Sequence, residues 1–151
     1  MTVEQNLKQL GIEIPEVAKP VAAYVPAVRA GEWVYISGQL PFRQGKLAKV
    51  GKVGTDVTLE EAYQEARQCA VNCIAAIKSI VDDLDRVKIV KVTGFVASAA
   101  GFNDQPKVMN GASDLFARVF GDAGIHARAA VGVAELPLNA CCEVELVALV
   151  Q

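Results

Sequence analysis

The sequence predicts an α+β domain in which two helices lie on one face of a mixed sheet. Three observations predict it. Strand-like and helix-like stretches follow one another in the order β-β-(β)-α-β-α-β-β, with no internal repeat and no linker. Each long helical stretch carries one apolar stripe: Ala62, Ala66, Cys69, Cys73, Ile77 and Ile80 in the first, Val108, Ala112, Leu115, Phe116 and Val119 in the second. A helix with a single stripe offers it to one sheet. The C-terminal runs, finally, are valine-rich, bounded by turn residues and too short to be separate helices.

Taken in order, residues 1–20 read as an N-terminal arm ahead of a domain spanning 21–151. Helical spacing over Asn6–Leu10 stops at Gly11, and Pro15 and Pro20 keep the chain beyond it extended. Ala22–Ala30 and Glu32–Ser37 read as two strands turning at Ala30-Gly31, with Trp33 and Tyr35 on one face and Val34 and Ile36 on the other. Gly38 lets the backbone leave the second strand in a conformation that a larger residue resists. Pro41 to Thr55 is a loop with one short strand near Leu47. Gly45, Gly51 and Gly54 lack the spacing of a phosphate loop, so it is either a solvated turn or a flap over a ligand.

Thr58 opens the longest helix, to about Asp82, through the capping box Thr58-Leu59-Glu60-Glu61. Val87–Ala97 is an apolar strand bearing Lys88 and Lys91. Asn103 or Asp104 caps a second helix to about Phe120, which Gly121 and Gly124 end. Ala127–Ala134 and Cys141–Val150 then read as an antiparallel hairpin about the connection 135–140, which holds Pro137 and Asn139. Both helices can lie on one face of the sheet, and no element is left to cover the other. That face is either polar or covered by another subunit, and the alternating valines argue for the second.

The totals bound the function. A chain of 151 residues, 52% hydrophobic and only 6% aromatic, builds one core from Val, Ala, Ile and Leu and has apolar surface left to bury against copies of itself. A net charge of −2 provides no footprint for nucleic acid. No apolar run reaches the roughly 18 residues of a membrane span, and the start MTVEQNLKQLGIEI lacks a signal peptide's basic and apolar regions. A cytoplasmic protein is expected. Of the four cysteines, Cys69 and Cys73 share a helix face, whereas Cys141 and Cys142 point to opposite sides of a strand. Converging zinc ligands are poorly supplied that way, so small buried residues are expected and no metal.

Arg128 at the start of one run, and Glu143 and Glu145 inside the other, are charges set in core-grade strands, which costs energy unless something satisfies them. The stretch around them, HARAAVGVAELPLNACCEVELVALV, resembles the C-terminal signature of the RidA/YjgF family, also labelled reactive intermediate (imine) deaminases or endoribonuclease L-PSP proteins. Tyr24-Val25 in AAYVPAV, Ser37-Gly38-Gln39-Leu40-Pro41 in YISGQLP, and Asn110 ahead of Phe116 fall in the family's order. The resemblance spans roughly residues 20 to 150. It implies a chorismate-mutase-like fold, a homotrimer with ligand clefts between subunits, and no cofactor.

The resemblance further implies that Arg128 grips a substrate carboxylate, Glu143 orients the attacking water, and Tyr24, Ser37, Gly38 and Asn110 line the same cleft. From the residues alone, Arg128 is either a planar fork for a carboxylate or the partner of Glu143 or Glu145 in an internal ion pair. Tyr24 is equally readable as a core aromatic, Asn110 as helix surface and Glu145 as a surface or subunit-contact charge. His126, the only histidine, reads as a structural hydrogen-bonder, and no second histidine or paired nucleophile assembles a triad. The chain departs from the archetypal deaminases in its N-terminal arm and in Ala130, where they carry a cysteine. The expected activity is hydrolysis of small enamine or imine acids such as 2-aminoacrylate to 2-keto acids and ammonia. The alternatives are a trimer that binds small carboxylates without turnover and, against the charge balance, an endoribonuclease.

Overall fold

The computed structural model describes residues 1–17 and 22–151. Pro20 and the boundary expected between residues 20 and 21 lie outside the described residues. Helix α1 (Val3–Gln9) starts earlier than its apolar spacing suggests, because Thr2 and Gln5 form a reciprocal capping box. It buries Val3 and Leu7, and the Asn6 amide donates to the Val119 carbonyl at 2.9 Å.

Strands β1 (Ala27–Ala30) and β2 (Trp33–Gln39) form the first hairpin, with Val34 and Ile36 buried and Trp33 and Tyr35 exposed. A small ribbon, β3 (Phe42–Arg43) and β4 (Lys46–Leu47), follows. Helix α2 (Leu59–Lys78) begins at the expected capping box, the Thr58 hydroxyl accepting from Glu61 N–H and Glu61 accepting from Thr58 N–H, both at 3.1 Å. It ends before Asp82 because the Ser79 hydroxyl donates to the Ala76 carbonyl at 2.7 Å, a local bond that competes with a further turn. β5 (Val87–Ala97), α3 (Gln105–Phe120), β6 (Ala127–Val133) and β7 (Cys142–Val150) complete the domain.

The five-stranded sheet runs β1-β2-β7-β5-β6, with β5 and β6 parallel and the other neighbours antiparallel. It is a mixed sheet with α2 and α3 on one face, as the pattern predicts. Phe116, Ile74, Ile77 and Ile89 are fully buried between the layers, each contributing about 1.5–3 kcal/mol of transfer free energy.

The expected C-terminal hairpin does not form. β5 lies between β6 and β7, and both pair with it instead of with each other. Its long apolar run is suited to a central position, where both edges are hydrogen-bonded. The connection from β6 to β7 has to step across one strand, about 10 Å. It does so through a 3-10 turn at Pro137–Asn139, in which Leu138 and Asn139 have φ of 57° and 59°.

The uncovered face holds Val28, Trp33, Tyr35 and Val131, all well exposed in the single chain. Val28, Tyr35, Val147 and Lys91 form one row across it. Among the described residues no helix is long and apolar enough to cross a membrane.

Candidate functional site

Arg128 enters on β6, opposite Val92 of β5, and therefore on the helix side of the sheet's free edge. There α3 presents Asn110 and Ser113, one helical turn apart on one face. Arg128 Nη1 donates to Asn110 Oδ1 at 2.9 Å and to Ser113 Oγ at 3.1 Å. Both Nη1 hydrogens are thus taken by neutral acceptors, while Nε–H and the Nη2 hydrogens have no acceptor among the described residues. No carboxylate of the described residues lies within ion-pair distance of Arg128. An internal pair with Glu143 or Glu145 is thereby excluded within the chain. The Nε/Nη2 edge of the guanidinium is the fork that matches a carboxylate.

Ser113 is a residue that sequence reading passes over. Its only signal is its place three residues after Asn110. Its Oγ lies 2.9 Å from His126 Nε2, and His126 Nδ1 lies 2.6 Å from the Gly124 carbonyl oxygen. Burial of the ring holds the His126 pKa below the ordinary imidazole value, and the Arg128 charge adds to the effect.

Glu143 stands elsewhere. It pairs with Phe95, which in turn pairs with Val131, so it lies on the uncovered face two strands in from the edge. Its pKa is raised, first by burial and then by the charge of Glu145. Gly38 explains how it fits. β2 slips register against β7 between Ile36 and Gln39, and the Glu143 side chain fills the space that a Cβ at Gly38 would occupy. Any larger residue there collides with the carboxyl. The Ser37 hydroxyl donates to the Val25 carbonyl at 2.6 Å and its N–H to the Pro26 carbonyl at 2.9 Å, which ties the Tyr24 segment to the end of β2. Tyr24 itself is exposed, which removes the core-aromatic reading.

The sequence-predicted residues therefore fall into two groups. Arg128 and Asn110 share the β6–α3 edge; Glu143, Gly38, Ser37 and Tyr24 share the end of β2 and β7. Arg128 is opposite Val92 and Glu143 opposite Phe95, an odd separation along β5, so the side chains leave opposite faces. Two strands across and three residues along add about 10 Å in each direction. One small molecule cannot touch both groups on the same chain.

Other candidates resolve more simply. All four thiols are buried, with Cys69 Sγ and Cys141 Sγ each 3.9 Å from Cys142 Sγ. Burial pushes the Cys69 and Cys73 thiols up, which keeps them protonated and inert. Among the described residues no cluster of His, Cys, Asp and Glu is arranged to hold a metal ion. The loop after β2 is no free flap: Asn72 Nδ2 on α2 donates to the Leu40 and Phe42 carbonyls, each at 3.0 Å, and Arg43 Nη1 meets buried Glu65 at 2.6 Å.

Comparison with known proteins agrees with this fold. The family described as "YjgF/chorismate_mutase-like, putative endoribonuclease" matches residues 4–150. Protein TCP17 of Trypanosoma cruzi is 44% identical over 145 residues, covering 95% of this chain and 91% of that protein. A 2-iminobutanoate/2-iminopropanoate deaminase of Dermatophagoides farinae is 31% identical over 140 residues, covering 93% of this chain and 95% of its own. A crystal structure of an Agrobacterium tumefaciens protein of unknown function superposes with a TM-score of 0.91 at 43% identity, covering 99% of this chain and 92% of the other.

Proposed function

The chain belongs to the YjgF/chorismate-mutase-like family, and from that premise we propose that it hydrolyses small enamine or imine acids to 2-keto acids and ammonia. The observation that carries this reading is Arg128: a guanidinium held by two neutral acceptors, with neither an acidic partner nor an acceptor for its Nε/Nη2 fork among the described residues. Such a group selects a planar carboxylate, and 2-imino acids carry one beside the reacting carbon. The relative named as a 2-iminobutanoate/2-iminopropanoate deaminase supports the same substrate class.

The chemistry asked of the protein is modest. An enamine such as 2-aminoacrylate becomes 2-iminopropanoate when C3 gains a proton and the N–H proton leaves. Water then adds to C2, its oxygen bonding to carbon while the imine nitrogen takes a proton. The C–N bond of the resulting aminol breaks, nitrogen leaves as ammonia with one more proton, and the hydroxyl loses its own to become the keto oxygen. Arg128 fixes the carboxylate and so the position of C2. Glu143 holds the water and passes the protons, a role helped by the burial that raises its pKa and favours its protonated form. Tyr24, Ser37 and Gly38 wall the reacting end, and Asn110 holds Arg128 in place.

Because the Arg128 and Glu143 groups cannot meet on one chain, the cleft in this reading forms between copies, the edge of one meeting the β2–β7 end of the next. A homotrimer closes such head-to-tail contacts. A second reading, carboxylate binding without turnover, rests on one specific observation: the grip at Arg128 is complete within the chain, whereas Glu143 has to be supplied from outside it.

Ammonia release from enzymatically generated 2-aminoacrylate, with wild type beside Arg128→Ala, separates the two. The expected result is acceleration over buffer by the wild type, lost in the variant at unchanged oligomer size. Equal rates in both would overturn the role of Arg128. Keto-acid binding without ammonia release would establish the second reading.

A further inference from the structure

The network behind Arg128 has a direction, and that direction assigns work to the single histidine. A backbone carbonyl only accepts, so the 2.6 Å contact to Gly124 requires the hydrogen of His126 to be on Nδ1. Nε2 is then bare in the neutral ring and accepts the Ser113 hydroxyl hydrogen across 2.9 Å. With that hydrogen turned away, the lone pairs of Ser113 Oγ are available to Arg128 Nη1 at 3.1 Å. A serine with no such acceptor rotates freely and can aim its own hydrogen at the guanidinium.

The ring is held for this task. Phe116 packs edge-on against it, centroids 5.9 Å apart and planes at 88°. Gly124 presses so closely on the last turn of α3 that a Cβ there would collide with the Phe116 carbonyl. The turn Gly121–Gly124 therefore delivers its carbonyl to one fixed place.

We infer that His126 is a positioning residue for Arg128, acting through Ser113 to hold the guanidinium with its Nε/Nη2 fork presented to a carboxylate. The inference rests on the carboxylate-gripping role of Arg128. Among the described residues, Arg128 on β6 is the charged group that shares the hydrogen-bond network of the ring and acts on its charge, and Asp114, the neighbour of Ser113 on α3, is taken up by the Tyr63 hydroxyl at 2.7 Å. A carboxylate docking on Arg128 offsets its charge, so the His126 pKa rises on binding.

Because the chain has one histidine, its ring nitrogens are unambiguous in a long-range 1H–15N spectrum. The expected result is the Nδ1–H tautomer at neutral pH, an imidazole titration that moves up when 2-oxobutanoate is added, and an upward move in Arg128→Ala without ligand. An Nε2–H tautomer, or a titration indifferent to both changes, overturns the inference. The affinity for 2-oxobutanoate gives a second, independent reading. His126→Gln keeps an acceptor oxygen near the Nε2 position and binds within about twofold of wild type. His126→Asn, which keeps only the Gly124 contact, and Ser113→Ala each bind about threefold to tenfold more weakly, the value of one hydrogen bond. If Arg128→Ala binds as tightly as wild type, the gripping role fails and the inference with it. If Arg128→Ala loses binding while His126→Asn and Ser113→Ala do not, the inference alone fails. Should His126→Asn not fold, Ser113→Ala and the spectrum still decide.

Discussion

Glu143 sits half-buried against the backbone of Gly38, with Glu145 two residues along on the same face, and both circumstances disfavour its charge. A carboxyl whose folded pKa is raised binds its proton more tightly in the folded state. Its contribution to stability is fully present below the unfolded value, about 4.3, and is lost as pH rises through the folded value. Glu143→Gln therefore stabilises the protein at pH 7 and changes little at pH 4, as urea unfolding at the two pH values will show. In the proposed chemistry the same substitution is expected to lower ammonia release by about 10²- to 10⁴-fold, the usual worth of a positioned acid or base. A neutral stability effect at pH 7 would contradict the raised pKa; unchanged turnover would remove Glu143 from the chemistry. At this scale the sequence made Glu143 and Arg128 conspicuous, as charges in valine-rich strands, but left Ser113 as an ordinary helix residue.

At the scale of elements, α2 does more than cover the sheet. Along one of its faces Glu65, Gln68 and Asn72 hold the chain that leaves β2. Asn72 is buried, and its amide satisfies two backbone carbonyls, those of Leu40 and Phe42. Asn72→Ala removes one of the two donors at each carbonyl, leaving Leu40 with the Phe42 N–H and Phe42 with the Gln68 amide, and the two lost hydrogen bonds are expected to destabilise by about 1–3 kcal/mol in urea titration. Amide exchange over residues 38–42 should quicken at the same time, since the register slip at Gly38 loses its backing. A loss under about 0.5 kcal/mol would mean that water replaces the side chain. Helix boundaries were legible to within a turn because caps and apolar stripes are local. The pairing of β6 and β7 was not, because period-two alternation records which face a residue takes and says nothing about which strand lies beside it.

At the scale of the molecule, two facts call for one explanation. Aromatic and aliphatic residues are exposed on the uncovered face of the sheet, and the two groups of candidate site residues leave opposite faces. The proposed association of copies would cover the first and unite the second. A charge in the middle of that face tests both together. Trp33→Glu with Tyr35→Glu is expected to dissociate the assembly in sedimentation while circular dichroism stays that of a folded chain. Turnover should fall with dissociation. A folded monomer with full activity would show that one chain suffices.

By itself, the sequence determined the α+β class, the helices and their stripes, the faces of the β1–β2 hairpin and the unusual charges set in valine-rich strands. These depend on periodicity, capping and burial cost, all of which act over a few residues. Only the tertiary structure decided that β5 separates β6 from β7, and with that insertion it decided the rest. It put Arg128 and Glu143 on opposite faces, two strands apart. It brought His126 and Ser113 together behind the guanidinium from either side of the turn that ends α3. Strand order is set by competition among apolar strands for the central place, and that competition involves the whole chain at once.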